Sequence, residues 1–208
     1  MEIIKSKNIV KKAVSILSKG GTVMHATETC YGFACDALSK KAVLRLYNLK
    51  KMNLAKPSSI MVASFSQAKK YGEFNALATR LARKYWPGPL TIIVPRKSSL
   101  PRFLNPKTRT IGIRCPAHNL TLKILRLYPC PLITTSANIS GQAERYSVRQ
   151  FKKTHTIRNV TENGQTQLLL PDLIIDSGAI PRRKPSTVIK VDKNKIIILR
   201  QGNLKILD

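Results

Sequence analysis

The sequence predicts an α/β fold, with a twisted mixed sheet and flanking helices, from three observations. Segments with helical spacing of apolar residues alternate along the chain with short apolar runs that are typical of buried strands. No repeat, long linker or low-complexity tract interrupts this alternation. With 208 residues, of which 43% are hydrophobic, the chain is long enough to bury one substantial core. We therefore expect one domain over residues 1–208.

Helices are predicted where apolar residues recur every three or four positions. The first covers about 9–17 and ends at Gly20 and Gly21. The second begins after Ser39, a residue type that caps helix N-termini, and carries Lys50 at its end. Further helices are predicted at 75–86, 120–128 and 147–153.

Strands are predicted where short apolar runs are bounded by turn-forming residues. In chain order these runs are "TVMHATET" (22–29), "SSIMVA" (58–63), "LTIIV" (90–94), "TIGIR" (110–114), "PLITT" (131–135), "LIID" (173–176), "STVIKV" (186–191) and "KIIILR" (195–200). The first run leads into a polar loop, and the stretch from about 154 to 170 is expected to be mostly loop.

The segment "PLITTSANISG" (131–141) ends a predicted strand with a row of hydroxyl and amide side chains. A polar turn explains such a row, because Ser, Thr, Asn and Gly form local hydrogen bonds in turns. A ligand site explains it equally well, because open α/β sheets bind ligands at the carboxyl ends of their strands. Polar residues at other predicted element ends favour the ligand site: Thr27, Lys50, Arg114, Ser186 and Arg200.

Positive charge dominates the composition. The chain carries 37 Lys and Arg against 10 Asp and Glu, which gives a formal net charge of +27. Between Asp36 and Glu144 the only acidic residue is Glu73. Such a field attracts polyanions, so RNA and phosphate-rich small molecules are the expected partners. No RNA-binding sequence motif accompanies the charge, so any RNA contact is expected to involve the phosphate backbone.

The sequence also disfavours several classes of protein. No apolar run approaches the ~18 residues of a membrane helix, and the lysine-containing N-terminal segment lacks the apolar centre of a secretory signal. We therefore expect a soluble, cytoplasmic protein with no membrane partner. Four cysteines without a CxxC pair and three scattered histidines indicate neither a zinc site nor a disulfide framework. Cys115 and His118 are neighbours in sequence, which is not the usual arrangement of a nucleophile and its base.

Neither a P-loop nor the glycine-rich dinucleotide fingerprint is present, so any phosphate must be bound by other means. Several segments, taken in order, instead resemble the YrdC/TsaC family of threonylcarbamoyl-AMP synthases. They are "ATETCYGFACDA" (26–37), "WPGPLTIIV" (86–94), "IGIRCP" (111–116), "TTSANISG" (134–141), "DSGAIPRRKPSTVI" (176–189) and "ILRQG" (198–202). The resemblance extends over roughly residues 8–202 and is to the short, single-domain type.

The resemblance implies a twisted α/β sheet with a concave, basic cavity. It also implies an ATP-dependent nucleotidyltransferase that makes threonylcarbamoyl-AMP and pyrophosphate from L-threonine, bicarbonate or CO2, and ATP. Mg²⁺ would accompany ATP, without a metal site of the protein itself. Other proteins would use the product to modify an adenosine of tRNA to threonylcarbamoyladenosine. Direct binding of tRNA or double-stranded RNA by this chain is a further expectation. Because charge develops on phosphate oxygens in this reaction, catalysis would rest on positioning and fixed positive groups.

Individual residues acquire roles from the same resemblance. Lys50 matches the lysine of the family's KxR motif, and Ser136 and Asn138 match its SxN motif. These three would be catalytic and would hold the ATP phosphates. Arg114 would grip the threonine carboxylate, a task for which a guanidinium fork is suited. The remaining contacts would be Thr27, Thr134 and Ser186 to threonine, and Thr110 and Arg200 to ATP.

Met52 departs from the family pattern. The KxR motif would read Lys50, Lys51, Met52 here, so a neutral thioether replaces an arginine. Losing a charge-assisted contact to a transferring phosphate typically costs about 2 to 4 kcal/mol of barrier. We expect Lys51 or Lys56, together with Mg²⁺, to supply the missing charge.

The sequence leaves three hypotheses open. The first is an active synthase, because the SxN motif and Arg114 are present. The second is a catalytically weakened relative that binds nucleotide or RNA, which Met52 favours. The third is an RNA-binding or ribosome-associated factor without small-molecule chemistry, which the charge alone favours. Pyrophosphate release from ATP separates the first hypothesis from the others.

Overall fold

A computed structural model describes residues 2–4, 8–53, 55–155, 158–160 and 166–206. The helices are α1 (Ile9–Ser18), α2 (Lys40–Lys50), α3 (Phe65–Ala68), α4 (Ala76–Tyr85), α5 (Asn119–Leu127) and α6 (Val148–Thr154). The strands are β1 (Glu2–Ile4), β2 (Val23–Ala26), β3 (Tyr31–Asp36), β4 (Ser59–Met61), β5 (Leu90–Pro95), β6 (Thr110–Arg114), β7 (Leu132–Ser136), β8 (Arg158–Val160), β9 (Thr166–Leu168), β10 (Leu173–Ile175), β11 (Thr187–Asp192) and β12 (Lys195–Arg200).

Side-chain caps fix where most helices begin. The residue before each of α2 to α6 accepts a hydrogen bond from a backbone N–H of the first turn, which satisfies a donor that the helix itself leaves free. These capping residues are Ser39, Ser64, Asn75, His118 and Ser147. The cap at Ser39 confirms the sequence prediction for α2 and sets the register that brings Lys50 to its C-terminal end.

Ten strands form one sheet in the order β1-β10-β2-β3-β7-β4-β6-β5-β11-β12, and β8 pairs with β9 separately. Parallel pairs join β1 to β10, β10 to β2, β4 to β6 and β5 to β11. The other neighbours in the large sheet are antiparallel. The sheet is therefore mixed, as the sequence predicts.

The two faces of the large sheet pack against different helices, because successive strand residues point to opposite sides. On one face, α1 and α5 pack against residues that include Val23, Ala34 and Leu132. On the other face, residues that include Phe33 and Ile133 join the larger core with α2, α4 and α6. Strands covered on both sides read as continuous apolar runs, which is why the sequence shows little alternation there.

Most of the helices and strands predicted from the sequence are confirmed within a few residues, but β1 and the short helix α3 were not predicted, and two further stretches differ. Residues 31–36 were expected to belong to a polar loop but form β3, antiparallel to β2. Small buried residues, Gly32 and Ala34 among them, make this strand hard to detect from hydrophobic patterning. The stretch expected to be loop contains β8 and β9, while its residues 156, 157 and 161–165 lie outside the described part. Within the described ranges, every helix is too short or too polar to span a membrane.

Candidate active site

A cavity of about 280 Å³ opens over the middle of the large sheet. Its floor consists of residues from β3, β7, β4, β5 and β11, with β6 lying between β4 and β5: Gly32, Ser59, Thr91, Thr134, Ser136 and Val188. Thr134 is paired directly with Ala34 and with Ser59, so the floor shares the sheet face that α1 and α5 cover elsewhere. Mostly small and polar side chains occupy this part of the face, and they leave room for a ligand.

Gly112 allows the floor to be flat at its centre. This residue lies beside Ser59 in the pairing of β4 with β6. A Cβ atom at Gly112 would approach Ser59 Oγ to 2.4 Å and Thr91 Cγ2 to 3.2 Å. Any other residue would therefore displace the floor side chains, so the glycine belongs to the construction of the cavity.

Loops complete the walls of the cavity, and they bring the predicted site residues together. The predicted residues that line it are Thr27, Lys50, Arg114, Thr134, Ser136, Asn138, Ser186 and Arg200. Thr110 is not among the lining residues. It begins β6, whereas Arg114 ends that strand, which places the two about 13 Å apart along the strand.

The Lys50 ammonium group holds the loop that follows β7. It donates to the backbone carbonyls of Ser136 and Asn138 and to Asn138 Oδ1, the last two at 2.8 and 2.9 Å. Asn138 Oδ1 also accepts a hydrogen bond from Ser136 Oγ at 2.6 Å. Lysine has three donors, and all three are used within the protein. The KxR lysine and the SxN motif thus form one hydrogen-bonded unit.

Burial makes the Lys50 ammonium group easier to deprotonate. The pKa of Lys50 is lowered from 10.5 to about 8, chiefly by burial and next by the positive charge of Lys56. Lys50 is still protonated at neutral pH, as its three oxygen acceptors require. Its ammonium also lies 5.9 Å from the ring centroid of Phe33, within the range of a cation–π contact.

Thr27 shapes the turn between β2 and β3. Its hydroxyl donates to the Cys30 carbonyl at 2.8 Å and accepts from the backbone N–H groups of Thr29 and Cys30 at 3.2 and 3.3 Å. Such hydroxyl-to-backbone bonds are typical of Ser/Thr turns. The turn holds the side chain of Thr29 toward the cavity beside Thr27.

Arg114 pairs with Glu28, which the same turn carries. Arg114 Nη2 lies 2.7 Å from Glu28 Oε1, and both side chains are largely buried. The two terminal nitrogens of Arg114 also lie 3.4 Å from Thr29 Oγ1. The turn between β2 and β3 therefore orients the Arg114 guanidinium, which already contacts the Glu28 carboxylate.

Ser186 joins Arg200 to the cavity floor. Arg200 donates from Nε to the Ser186 carbonyl and from Nη2 to Ser186 Oγ, both at 3.0 Å. Thr91 Oγ1 lies 3.0 Å from the same Ser186 hydroxyl. These contacts fix the guanidinium at the end of β12 against the segment that precedes β11.

Cys115 and His118 have structural roles. Burial raises the pKa of the Cys115 thiol to about 11, so the thiol stays protonated at neutral pH. His118 Nδ1 accepts the capping hydrogen bond at the start of α5 and lies 3.1 Å from Thr121 Oγ1. The geometry supports neither a nucleophile nor a base here.

Met52 lines the cavity at the position where the family pattern has an arginine. Its backbone N–H donates to the Tyr47 carbonyl at 2.9 Å, and its side chain packs against the larger core. Lys51 has a left-handed backbone, with φ of 47°, and its exposed side chain is not among the cavity-lining residues. Lys56 does line the cavity. The structure thus separates two lysines that the sequence alone cannot rank.

Two acidic residues of the site were not selected from the sequence. Glu144 lines the cavity, and Glu28 pairs with the cavity-lining Arg114. Glu28 is part of the "TET" segment that supports the family resemblance, but no spacing connects it with Arg114. Glu144 is the residue at which the long basic stretch ends, and that change of charge was the available signal.

A family model covers almost all of the structure that builds the cavity. The Sua5/YciO/YrdC model, described as "Telomere recombination", matches residues 15–202. The chain belongs to the Sua5/YciO/YrdC family. The YrdC resemblance expected from the sequence motifs is thereby confirmed.

Curated relatives of this Sua5/YciO/YrdC member carry one name. A Methanocaldococcus jannaschii protein, provisionally named threonylcarbamoyl-AMP synthase, is 37% identical over 200 residues, which cover 94% of this chain and 88% of that protein. The threonylcarbamoyl-AMP synthase of Pyrococcus abyssi is 32% identical over 196 residues, which cover 94% of this chain and 54% of that protein. The mouse threonylcarbamoyl-AMP synthase is 36% identical over 143 residues, which cover 69% of this chain and 51% of that protein.

Solved structures of the family have the same fold. P. abyssi Sua5 complexed with L-threonine superposes with a TM-score of 0.83 at 30% identity, covering 97% of this chain and 56% of that one. E. coli YciO gives a TM-score of 0.79 at 25% identity, covering 95% of this chain and 91% of that one. The α/β fold predicted from the sequence is confirmed. The chain spans little more than half of the Pyrococcus protein but most of YciO.

Proposed function

We propose that this Sua5/YciO/YrdC member is an ATP-dependent threonylcarbamoyl-AMP synthase. Its substrates would be L-threonine, bicarbonate or CO2, and ATP, and its products threonylcarbamoyl-AMP and pyrophosphate. The observation that carries the proposal is the Lys50–Ser136–Asn138 unit, which lines the same cavity as Arg114. The name of the relatives and the L-threonine bound to P. abyssi Sua5 support the same reaction.

Arg114 is proposed to bind the carboxylate of threonine. A guanidinium presents parallel N–H donors that match the two oxygens of a carboxylate. Glu28 and Thr29 hold this guanidinium in a fixed orientation at the cavity wall. The hydroxyl groups of Thr27 and Thr29, which also line the cavity, are then close enough to contact the amino acid.

The chemistry proceeds in two steps. The unprotonated amine of threonine adds to CO2, so an N–C bond forms and a proton is released, which leaves a carbamate. A carbamate oxygen then attacks the α-phosphorus of ATP. The bond between the α-phosphorus and the oxygen that bridges to the β-phosphorus breaks, and pyrophosphate leaves. Negative charge moves onto phosphate oxygens during this step, so fixed positive groups lower the barrier. Cationic side chains that line the cavity are Lys50, Lys56, Arg114 and Arg200.

Mg²⁺ is proposed to enter with ATP as part of the substrate. The described residues contain no cluster of three His, Cys, Asp or Glu that could hold a metal by itself. Magnesium in nucleotide sites is usually held by the phosphates, water and one or two carboxylates, and Glu144 is the carboxylate among the described lining residues. The site therefore fits MgATP. Bound Mg²⁺ would neutralise charge on the departing pyrophosphate.

The proposed product has a further use. A threonylcarbamoyl adenylate is an activated acyl donor, so partner proteins would transfer its threonylcarbamoyl group to an adenosine of tRNA. The net charge of +27 favours contact with tRNA phosphates during that transfer.

Pyrophosphate release by the purified chain tests the proposed reaction. We expect release to require threonine, bicarbonate and MgATP together, and omission of any one of them to abolish it. Mass spectrometry of the mixture should detect threonylcarbamoyl-AMP. Absence of both products at saturating substrate would contradict the proposal.

A second candidate function is a catalytically weakened relative that binds nucleotide or RNA. The observation in its favour is the neutral Met52 side chain in the cavity wall. Such a protein would bind MgATP or RNA, with RNA affinity falling steeply as salt rises, but would release no pyrophosphate. The same assay therefore separates the two candidates.

A further inference from the structure

We propose that Lys56 supplies the positive charge toward the ATP phosphates that Met52 does not provide. This assignment deepens the proposed function and rests on it, because it names a phosphate contact in the same cavity. It would make Lys56 a nucleotide-binding residue of this chain.

Lys50 is not available to replace the missing arginine. Its three donors contact the carbonyls of Ser136 and Asn138 and the Asn138 side chain. A phosphate contact from Lys50 would cost one of these bonds, and a buried acceptor left without its donor is unfavourable. Lys50 therefore contributes a fixed charge and positions the SxN loop, while a direct hydrogen bond to the phosphates must come from another cation.

Lys51 is excluded by its backbone. The residue occupies the C-cap of α2 in the left-handed conformation, and this conformation turns the chain direction after the helix. Its side chain is exposed and lies outside the cavity lining. Lys51 therefore offers a matched control, because it is a lysine within the same motif that is not among the cavity-lining residues.

The backbone of Lys56 is held firmly although its side chain is exposed. Its N–H donates to the Asn53 carbonyl at 2.9 Å, and its own carbonyl accepts from the Tyr47 hydroxyl at 3.1 Å. The same hydroxyl lies 2.9 Å from Ser58 Oγ, which lines the cavity. The point at which the Lys56 side chain leaves the loop is thus fixed beside the cavity by a buried tyrosine from α2.

The Lys56 ammonium reaches the wall that contains the SxN loop. Its Nζ lies 3.4 Å from Ser140 Oγ, and the Ser140 N–H donates to the Lys50 carbonyl at 2.9 Å. The contact to a neutral hydroxyl is long and can be exchanged for a phosphate oxygen at little cost. The Lys56 side chain therefore lines the cavity, and its positive charge contacts a neutral hydroxyl rather than a carboxylate.

A lysine at position 56 would contact phosphate through its charge rather than through a fixed hydrogen-bond geometry. An ammonium acts as a point charge, whereas the arginine of the family pattern would offer a planar fork. Charge rather than shape is then required at this position. We expect Lys56→Arg to keep function, and Lys56→Ala to lose it.

The test compares the wild-type chain with Lys56→Ala, Lys56→Arg and the control Lys51→Ala. We expect Lys56→Ala to lower kcat/KM for ATP at least ~10-fold, equal to about 1.4 kcal/mol, while Lys51→Ala has no effect. Adding Met52→Arg to Lys56→Ala should recover most of the loss. The dissociation constant of MgATP, measured by calorimetry, should rise in Lys56→Ala and not in Lys51→Ala.

The outcomes distinguish this assignment from the proposed function. An active wild-type enzyme in which Lys56→Ala and Lys51→Ala behave alike would overturn the role of Lys56 and leave the synthase proposal intact. A wild-type chain that releases no pyrophosphate would overturn the synthase proposal. The dissociation constant of MgATP would then test the role of Lys56. The same constant in Lys56→Ala as in the wild-type chain, or no MgATP binding by the wild-type chain, would overturn that role as well.

Discussion

Glu28 and Arg114 form an ion pair in which Oε1 and Nη2 lie 2.7 Å apart, with side chains that are 14% and 6% exposed. Glu28 follows β2 and Arg114 ends β6, so the pair connects segments that are far apart in the chain. Removing one partner from such a pair leaves the other charge buried and unpaired. The ion pair therefore links the stability of the fold with the orientation of a cavity-lining guanidinium.

Replacing Glu28 with Gln should impair the use of threonine. The amide keeps the shape of the side chain but removes the charge that orients Arg114, so KM for threonine should rise at least ~10-fold, or about 1.4 kcal/mol. The free energy of unfolding should fall by about 3 kcal/mol, because a buried guanidinium loses its partner. Steady-state kinetics and urea unfolding measure the two effects. Glu73→Gln, at an exposed position, is the control, and an equal KM for threonine in both variants would argue against orientation by Glu28.

The SxN motif should be required for catalysis. Ser136→Ala and Asn138→Ala should each reduce adenylate formation at least ~10-fold, about 1.4 kcal/mol of barrier. Asn138→Ala should have the larger effect, because Asn138 Oδ1 accepts hydrogen bonds from both Lys50 and Ser136. Pyrophosphate release measures both, with the exposed Ser66→Ala in α3 as the control. Turnover at the wild-type level in both variants would remove the SxN motif from the mechanism.

Restoring the family arginine tests the cost of Met52. Met52→Arg adds a guanidinium at the cavity wall, so turnover should increase or stay unchanged. Met52→Leu, which keeps an apolar side chain of similar volume, is the matched control for packing against the core. If only Met52→Arg releases pyrophosphate and the wild-type chain does not, the chain is a weakened relative rather than an active synthase.

His25 should make the protein sensitive to mild acid. His25 Nδ1 lies 3.0 Å from the Ala26 carbonyl oxygen and 3.0 Å from Thr121 Oγ1. The carbonyl can only accept, and the Thr121 hydroxyl already donates its proton to that carbonyl at 2.8 Å. The proton on His25 therefore lies on Nδ1. Its Nε2 atom has no hydrogen-bond partner among the described residues, and burial lowers the pKa of His25 from 6.5 to about 4. The unfolded chain therefore binds a proton below pH 6.5 that the folded protein does not bind until about pH 4.

The pH dependence follows from this difference in proton binding. Stability should fall as the pH decreases from 6.5 toward 4, and His25 should account for roughly 2 kcal/mol of the loss by pH 4.5. Urea unfolding at pH 7 and pH 4.5 measures the loss. His25→Asn retains an N–H donor but does not titrate, so it should show a smaller decrease. The same decrease in both proteins would assign the acid sensitivity to other groups.

Local patterns predicted much of the candidate site. Ser39 caps α2 and helical spacing then brings Lys50 to its end, so the position of Lys50 follows from a few neighbouring residues. The polar row at the end of β7 was visible in the same way, and it does line the cavity through Ser136 and Asn138. Such features depend on interactions within one segment, which the sequence displays directly.

Contacts between distant segments could not be predicted in this way. Nothing in the spacing of Glu28 and Arg114 indicates that they meet, because the strand order of the sheet brings them together. The choice between Lys51 and Lys56 depended on which side chain lines the cavity and on the left-handed backbone of Lys51, with φ of 47°. That conformation is unusual for a lysine and is not encoded by its residue type.

The alternation of the central strands divides the sequence into two sets of positions that can change separately. Thr134 faces the cavity, whereas its neighbour Ile133 is part of the core on the opposite face. The same separation applies to Thr91, which lies beside Ile92. Mutational libraries restricted to floor positions such as Thr134, Thr91 and Val188 would therefore reshape ligand preference while sparing the residues on which folding depends. This arrangement gives the scaffold an evolvable surface inside an otherwise closely packed sheet.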